Sequence, residues 1–202
     1  MKDTKERVLD TALELFNENG LSQVTLRTIA KKMKISQGNL NYHFKKREEI
    51  IETLYFNLVK HIDLKMSNNK EEVSLKLLLD LSTSIMSDFY EYRFFLLDFV
   101  QIMRENIIIK THYLKLSKIR EKQFLELFAL LIKKEIMRKE ILHNEYAFLY
   151  RRFQILGDFW IPSAQLTHKH ISKNMIKKYA DIINQSIYPY LTEEGKLAYL
   201  NI

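Results

Sequence analysis

Thr25-Leu26-Arg27-Thr28-Ile29-Ala30 is followed, after Lys31-Lys32-Met33-Lys34, by Ile35-Ser36-Gln37-Gly38-Asn39-Leu40-Asn41-Tyr42-His43-Phe44. Two short helical patterns meet across a tight turn. In the first, Leu26, Ile29, Ala30 and Met33 face inward at helical spacing, with Thr25 placed to cap the start. In the second, Leu40 and Phe44 anchor the helix from below, Ile35 plugs the core and Ser36 caps. Gln37, Asn39, Asn41, Tyr42 and His43 are left on or near the outer side, and these side chains reach base edges and phosphates. The spacing is that of a helix-turn-helix, whose second helix enters the major groove of DNA.

The charge pattern points the same way. The net charge is +7, but from Asn19 to Arg47 the chain carries Arg27, Lys31, Lys32, Lys34, Lys45, Lys46 and Arg47 and no acid. Residues 1–18 are acidic on balance, and everything after Arg47 is close to neutral. A polyanion partner would concentrate basic charge in this way. With only 4 Gly and 2 Pro in 202 residues, long helices fit better than strands and turns. The absence of cysteine excludes disulfides, thiol catalysis and cysteine-based zinc sites, and fits a reducing compartment. No apolar run is long enough to span a bilayer and the N-terminus is not signal-like, so a cytoplasmic protein is expected.

Working outward, Val8, Leu9, Ala12, Leu15 and Phe16 predict a first helix over Thr4 to Asn19, with Gly20 as its left-handed cap. A fourth helix is expected from Lys46 to Met66, buried along Ile50, Ile51, Leu54, Tyr55, Leu58 and Ile62. Ser67-Asn68-Asn69-Lys70 reads as the clearest break. Longer, more aromatic helices are expected beyond it, at about 71–91, 92–106, 109–138, 144–161 and 172–190, with a short tail helix from Thr192 and Pro162 ending its helix. The chain therefore reads as all-α: a three-helix helix-turn-helix head over 1–47, then a larger helical domain over 48–202.

The head resembles that of the TetR family of bacterial transcriptional regulators. The resemblance is carried by Ala12 to Phe16, Gly20, Thr25 to Ala30, the run Ile35 to Phe44, and Lys46-Arg47-Glu48-Glu49-Ile50. It implies DNA contacts from Thr25, Arg27, Ser36, Gln37, Gly38, Asn39, Asn41, Tyr42, His43, Lys46 and Arg47. Two positions depart from the family pattern: Lys34 stands where a turn glycine is usual, and Asn41 where a tyrosine is frequent. The resemblance further implies a homodimer on a palindromic operator, joined by the last two long helices, and release by a small-molecule effector.

Those helices show stripes at three-four spacing. Tyr146, Leu149, Phe153, Leu156 and Trp160 form one, and Met175, Tyr179, Ile182, Ile183, Ile187 and Tyr190 another; both are expected at the dimer interface. By the same resemblance, an aromatic block between head and dimer helices would surround a largely apolar effector, with Phe95, Phe99, Met103, Tyr113, Phe124, Phe128 and Trp160 as lining candidates. His112, Gln154 and Asp158 are polar groups suited to orient it. Completion of the monomer core is the other reading of these stripes. His168 and His170 are two apart and would diverge on a helix, and neither a phosphate loop nor a catalytic constellation is visible. No metal or cofactor is expected, and no enzymatic activity. The expectation is a ligand-responsive DNA-binding repressor; the alternative is a helical protein-binding adaptor that has lost DNA contact.

Overall fold

The computed structural model describes residues 3–68 and 73–202. Eleven α-helices are defined among them: α1 Thr4–Asn19, α2 Leu26–Met33, α3 Gln37–His43, α4 Arg47–Asn68, α5 Leu75–Glu91, α6 Arg93–Leu97, α7 Phe99–Glu105, α8 Ile107–Lys133, α9 Glu145–Thr167, α10 Met175–Gln185 and α11 Glu193–Leu200. Among the described residues no strand forms, and Met137 and Leu191 meet in an isolated antiparallel bridge. No helix there is long and apolar enough to cross a membrane. The chain divides into two compact units. One runs to His61 and includes Glu91–His112; the other comprises Ile62–Tyr90 and Tyr113–Ile202.

In the first unit, the helix ends are set by local chemistry. Asp3 and Glu6 form a reciprocal capping box on α1, and Thr25 and Thr28 form another on α2. Val8, Ala12, Phe16, Ile29, Ala30, Leu40 and Phe44 are buried together, so α1, α2 and α3 share one small core. The turn between α2 and α3 closes with Lys34 in the left-handed conformation (φ 56°) and the Ile35 N–H donating to the Ala30 carbonyl. A lysine pays about 1 kcal/mol for a conformation that glycine adopts freely, yet the turn keeps its usual geometry. The expected helix over 92–106 is instead two short helices, broken at Asp98. Ile107-Ile108-Ile109, β-branched in sequence, opens α8, because the Asn106 side chain caps it by accepting from the Ile109 N–H at 2.9 Å.

The second unit is built around Leu75, Leu78, Leu79, Phe128, Leu131, Met137, Tyr146, Leu149, Tyr150, Ile187 and Leu191. Arg138 and Glu145 pin its α8–α9 connection. The guanidinium donates to both carboxylate oxygens at 2.7 and 2.8 Å, and the Ile141 N–H adds a third donor at 2.9 Å. Those donors draw the Glu145 pKa down to about 2, the Arg138 hydrogen bond contributing most. The Arg138 N–H also donates to the Tyr190 carbonyl, which ties the C-terminal segment to the same point.

Other boundaries also differ from the sequence reading, among them α8, expected over 109–138 and found at Ile107–Lys133. The break expected at Ser67–Lys70 falls partly outside the described residues; α4 reaches Asn68 and α5 begins at Leu75. The helix expected over 172–190 is shorter, Met175–Gln185, followed by a 3-10 turn over Tyr188–Tyr190. Pro162 does not end its helix: α9 continues to Thr167. Proline cannot donate to the Asp158 carbonyl and strains the turn, at a cost of about 3 kcal/mol. Ile161 and Ala164 are completely buried on either side, and their packing outweighs that cost.

Gly195 lies buried in α11, where an added Cβ would fall on the Ile136 backbone carbonyl. Gly195→Ala is expected to destabilise the protein by about 1–3 kcal/mol, measured by urea unfolding.

Candidate nucleic-acid interface

The recognition surface is assembled by the caps of α2 and α3. Ser36 caps α3 by accepting from the Asn39 N–H at 3.1 Å, so the third helix starts where Gln37, Gly38 and Asn39 emerge into solvent. Burial of Leu40 and Phe44 then fixes the rotation of α3. Gln37, Gly38, Asn39, Asn41 and Tyr42 are consequently exposed, Tyr42 at 86%. A phenol held that far into water, on a helix whose inner face is fully packed, has no role in the core. His43 is half-buried and meets the Tyr42 ring edge-on at 5.3 Å.

Thr25, Arg27, Ser36, Lys45 and Lys46 are exposed around this helix. Among the described residues, the side chains of Arg27, Lys45 and Lys46 form no ion pair, and all three are exposed. Lys32 differs: it bonds Glu14 at 3.1 Å. Arg47 sits elsewhere than its neighbours. Its guanidinium is half-buried and donates to the carbonyls of Leu21 at 2.9 Å and Val24 at 3.4 Å, bracing the loop after α1. Thr25 and Ser36 likewise already serve as caps.

The residues considered for effector contact divide between the two units. Phe95, Phe99 and Met103 belong to the first, where Phe95 packs on Tyr55 and Phe99. Tyr113, Phe124, Phe128 and Trp160 belong to the second. Phe124 and Phe128 touch one another, and Phe128 also meets Tyr146 and Phe153, which makes this pair part of the unit's core. Trp160 is buried against Tyr179, and its indole N–H has no hydrogen-bond partner among the described residues. His112 bonds the Tyr55 hydroxyl at 2.8 Å in the first unit.

Gln154 and Asp158 instead converge with Tyr113 between α8 and α9. The Tyr113 hydroxyl donates to Asp158 at 2.5 Å, and the Gln154 amide donates to Tyr113 and Ser117, both at 2.9 Å. Burial pushes the Asp158 carboxyl up to about 6, against the Tyr113 hydrogen bond, and pushes the Tyr113 hydroxyl up as well.

The expected dimer stripe requires correction. Tyr146, Leu149, Trp160, Ile183 and Ile187 are buried within the chain itself, while Phe153, Leu156, Met175 and Tyr179 are half-buried. The buried members of both stripes belong to the chain's own core. A second stripe remains outside: Phe148, Ile155, Phe159 and Leu166 on α9, with Ile182 on α10. Spacings of seven, four and seven residues put the four α9 side chains on one face.

A three-helix head with a solvent-facing polar third helix is the architecture of helix-turn-helix regulators, and comparison with known proteins agrees. Residues 8–54 match the bacterial regulatory proteins of the tetR family, and residues 58–199 match the TetR model described as a bacterial transcriptional repressor. The chain belongs to the TetR family of bacterial transcriptional regulators. Over 94 residues it is 28% identical to the probable HTH-type transcriptional regulator YttP of Bacillus subtilis (strain 168), covering 45% of both proteins. Over 90 residues it is 31% identical to IcaR of Staphylococcus aureus (strain Newman), a negative transcriptional regulator of the biofilm operon icaADBC, covering 43% of this chain and 48% of IcaR. The matched region thus spans about half the length of these relatives. A TetR-family regulator from Marinobacter aquaeolei VT8 shares the fold with a TM-score of 0.90 at 22% identity, covering 99% of this chain and 97% of that one.

Asp158 makes a pH-dependent contribution of definite sign. Its folded-state pKa of about 6 lies above the ordinary 3.8, so the folded chain retains a proton that the unfolded chain releases. This favours folding at acidic pH, and the benefit is lost as pH rises through about 6. The stability of Asp158→Asn relative to the unsubstituted protein is expected to increase between about pH 4 and pH 7, read by urea unfolding at each pH.

Proposed function

We propose that the protein is a ligand-responsive repressor that binds a palindromic operator as a homodimer in the cytoplasm. The observation that carries this reading is the surface of α3: Gln37, Asn39, Asn41 and Tyr42 stand exposed on a short helix whose other face is completely packed. Gln and Asn suit adenine edges, and Arg27, Lys45 and Lys46 suit the flanking phosphates. Thr25, Ser36, Gly38 and His43 complete the contact surface, with Thr25 and Ser36 presenting α2 and α3 end-on. Arg47 acts beneath that surface, through the Leu21 and Val24 carbonyls.

Dimerisation is assigned to the outward stripe Phe148, Ile155, Phe159 and Leu166 with Ile182. One head reads too few bases for useful specificity; two heads separated by one helical turn, about 34–36 Å, double the site. The effector is assigned to the second unit, where Tyr113, Gln154 and Asp158 offer polar groups near the aromatic side chains and the effector itself is largely apolar. Its release mechanism runs through α4, a continuous helix from Arg47 to Asn68 that begins in the head unit and ends in the second. A coupling of about 1–3 kcal/mol is enough to change operator occupancy several-fold. The adaptor reading draws on Lys34 and Asn41; the turn at Lys34 keeps its left-handed conformation, and Asn41 stands exposed on α3.

Electrophoretic shift of duplex DNA from upstream of the gene is expected to show binding that weakens steeply with salt. Arg27→Ala should weaken it by about 1–3 kcal/mol if it contacts a base, or lower the salt slope by about 1 if it contacts a phosphate, with little change in thermal unfolding. Unchanged affinity and slope would remove Arg27 from the interface. Ile155→Asp places a charge in the middle of the assigned dimer stripe, and sedimentation should show a folded monomer. A dimer unaffected by this change would place the interface elsewhere.

A further inference from the structure

The α1 helix and the 3-10 turn after it, Leu21–Gln23, are attached to the segment from Glu91 to Asp98 at two points. The Asn17 amide donates to the Glu91 carbonyl at 2.7 Å, and its oxygen accepts from the Phe94 N–H at 3.0 Å. Four residues on, the Leu21 N–H donates to the Asp98 carboxylate at 3.2 Å. Between these attachments Phe16 stacks on Phe94 with ring centres 5.1 Å apart, both rings buried. Each polar partner is a helix-end group. Glu91 is the last residue of α5, Phe94 lies in the first turn of α6, and Asp98 stands at the break between α6 and α7. Backbone groups in such positions have no partner inside their own helix, and another side chain must satisfy them. Asn17 satisfies a terminal carbonyl and a first-turn N–H at once, and so bridges the break between α5 and α6.

The spacing makes this a clamp rather than a tether. Asn17 lies in the last turn of α1 and Leu21 just beyond its Gly20 cap, while their partners run from Glu91 to Asp98, so α1 can neither slide nor rotate on the segment without losing one of the two attachments. Because α1 shares a close-packed core with α2 and α3, the recognition helix moves with it. Arg47 extends the brace by holding the Leu21 and Val24 carbonyls from the start of α4.

We propose that Asn17 and Asp98 are positioning residues for operator binding: they fix the orientation of the recognition helix through α1, in addition to the covalent link through α4. The proposal rests on the dimeric, DNA-binding reading above. A head freed from the clamp still reads its own half-site, but two freed heads no longer present their helices at a fixed separation. The gain from engaging both half-sites then falls, because it depends on geometry.

The test uses two duplexes selected by the unsubstituted protein from random DNA, one carrying the full palindrome and one a single half-site. Asn17→Ala and Asp98→Ala are each expected to weaken palindrome binding roughly tenfold while half-site binding stays within about twofold. Asp98→Asn keeps an acceptor oxygen for the Leu21 N–H and should restore palindrome affinity, which a purely electrostatic role for Asp98 would not. Equal losses on both duplexes would mean local damage to the head, and unchanged palindrome affinity in both alanine variants would mean the clamp does not position it; either overturns the proposal. If the unsubstituted protein binds the palindrome no more tightly than the half-site, the dimeric reading itself fails and takes the proposal with it, and this is seen before any variant is measured.

Discussion

Phe16 is the residue on which the head depends. Its ring is buried in the core that α1 shares with α2 and α3, its carbonyl accepts from the Gly20 N–H that stops α1, and its outer face stacks on Phe94. One side chain therefore joins the termination of a helix, the packing of a three-helix unit and the seating of that unit on α6. A smaller residue there would leave a cavity at the point where all three meet, where neighbouring helices cannot close in without shifting their caps.

The surface of α3 follows from that packed interior. Leu40 and Phe44 give the helix a single inward face, and everything else on so short a helix must face water. Capping sharpens this: Ser36 and Thr25 each hold the first N–H groups of a helix, so the starts of α2 and α3 do not fray at the surface proposed to meet DNA. Pre-ordered helix ends lower the entropy lost on binding. Lys34 shows how firmly the head specifies its turn, since the left-handed conformation is kept without glycine.

Much of the head was legible in sequence because local rules and tertiary packing agree there. The apolar spacing of Val8, Ala12, Phe16, Ile29, Leu40 and Phe44 marks the inner faces, and Thr25 and Ser36 mark the caps. Arg47 was less legible. The family resemblance implied a DNA contact for it, but the loop after α1 presents two carbonyls that need donors, and the guanidinium turns inward to meet them. Nothing in the residue type separates those fates. Asn17 and Asp98 were missed altogether, since an Asn in a helix and an Asp in an aromatic block look like surface residues. Only their distant partners, more than seventy positions away in the chain, give them a role.

The larger helical region shows the same division. Periodicity located α9 and α10 and their apolar stripes, but it could not say which stripe a chain keeps for itself. Tyr146, Leu149 and Trp160 went to the chain's own core, and the weaker stripe of Phe148, Ile155 and Phe159 was left outside. Pro162 likewise looked like a stop and is not, because two buried neighbours hold the helix through it. Sequence by itself determined the all-helical class, the head and its outward-facing polar helix, since these depend on residues close together in the chain. Tertiary structure decided which helix faces are covered and which polar groups pair across helices, because burial and hydrogen bonding there depend on neighbours that only folding brings together.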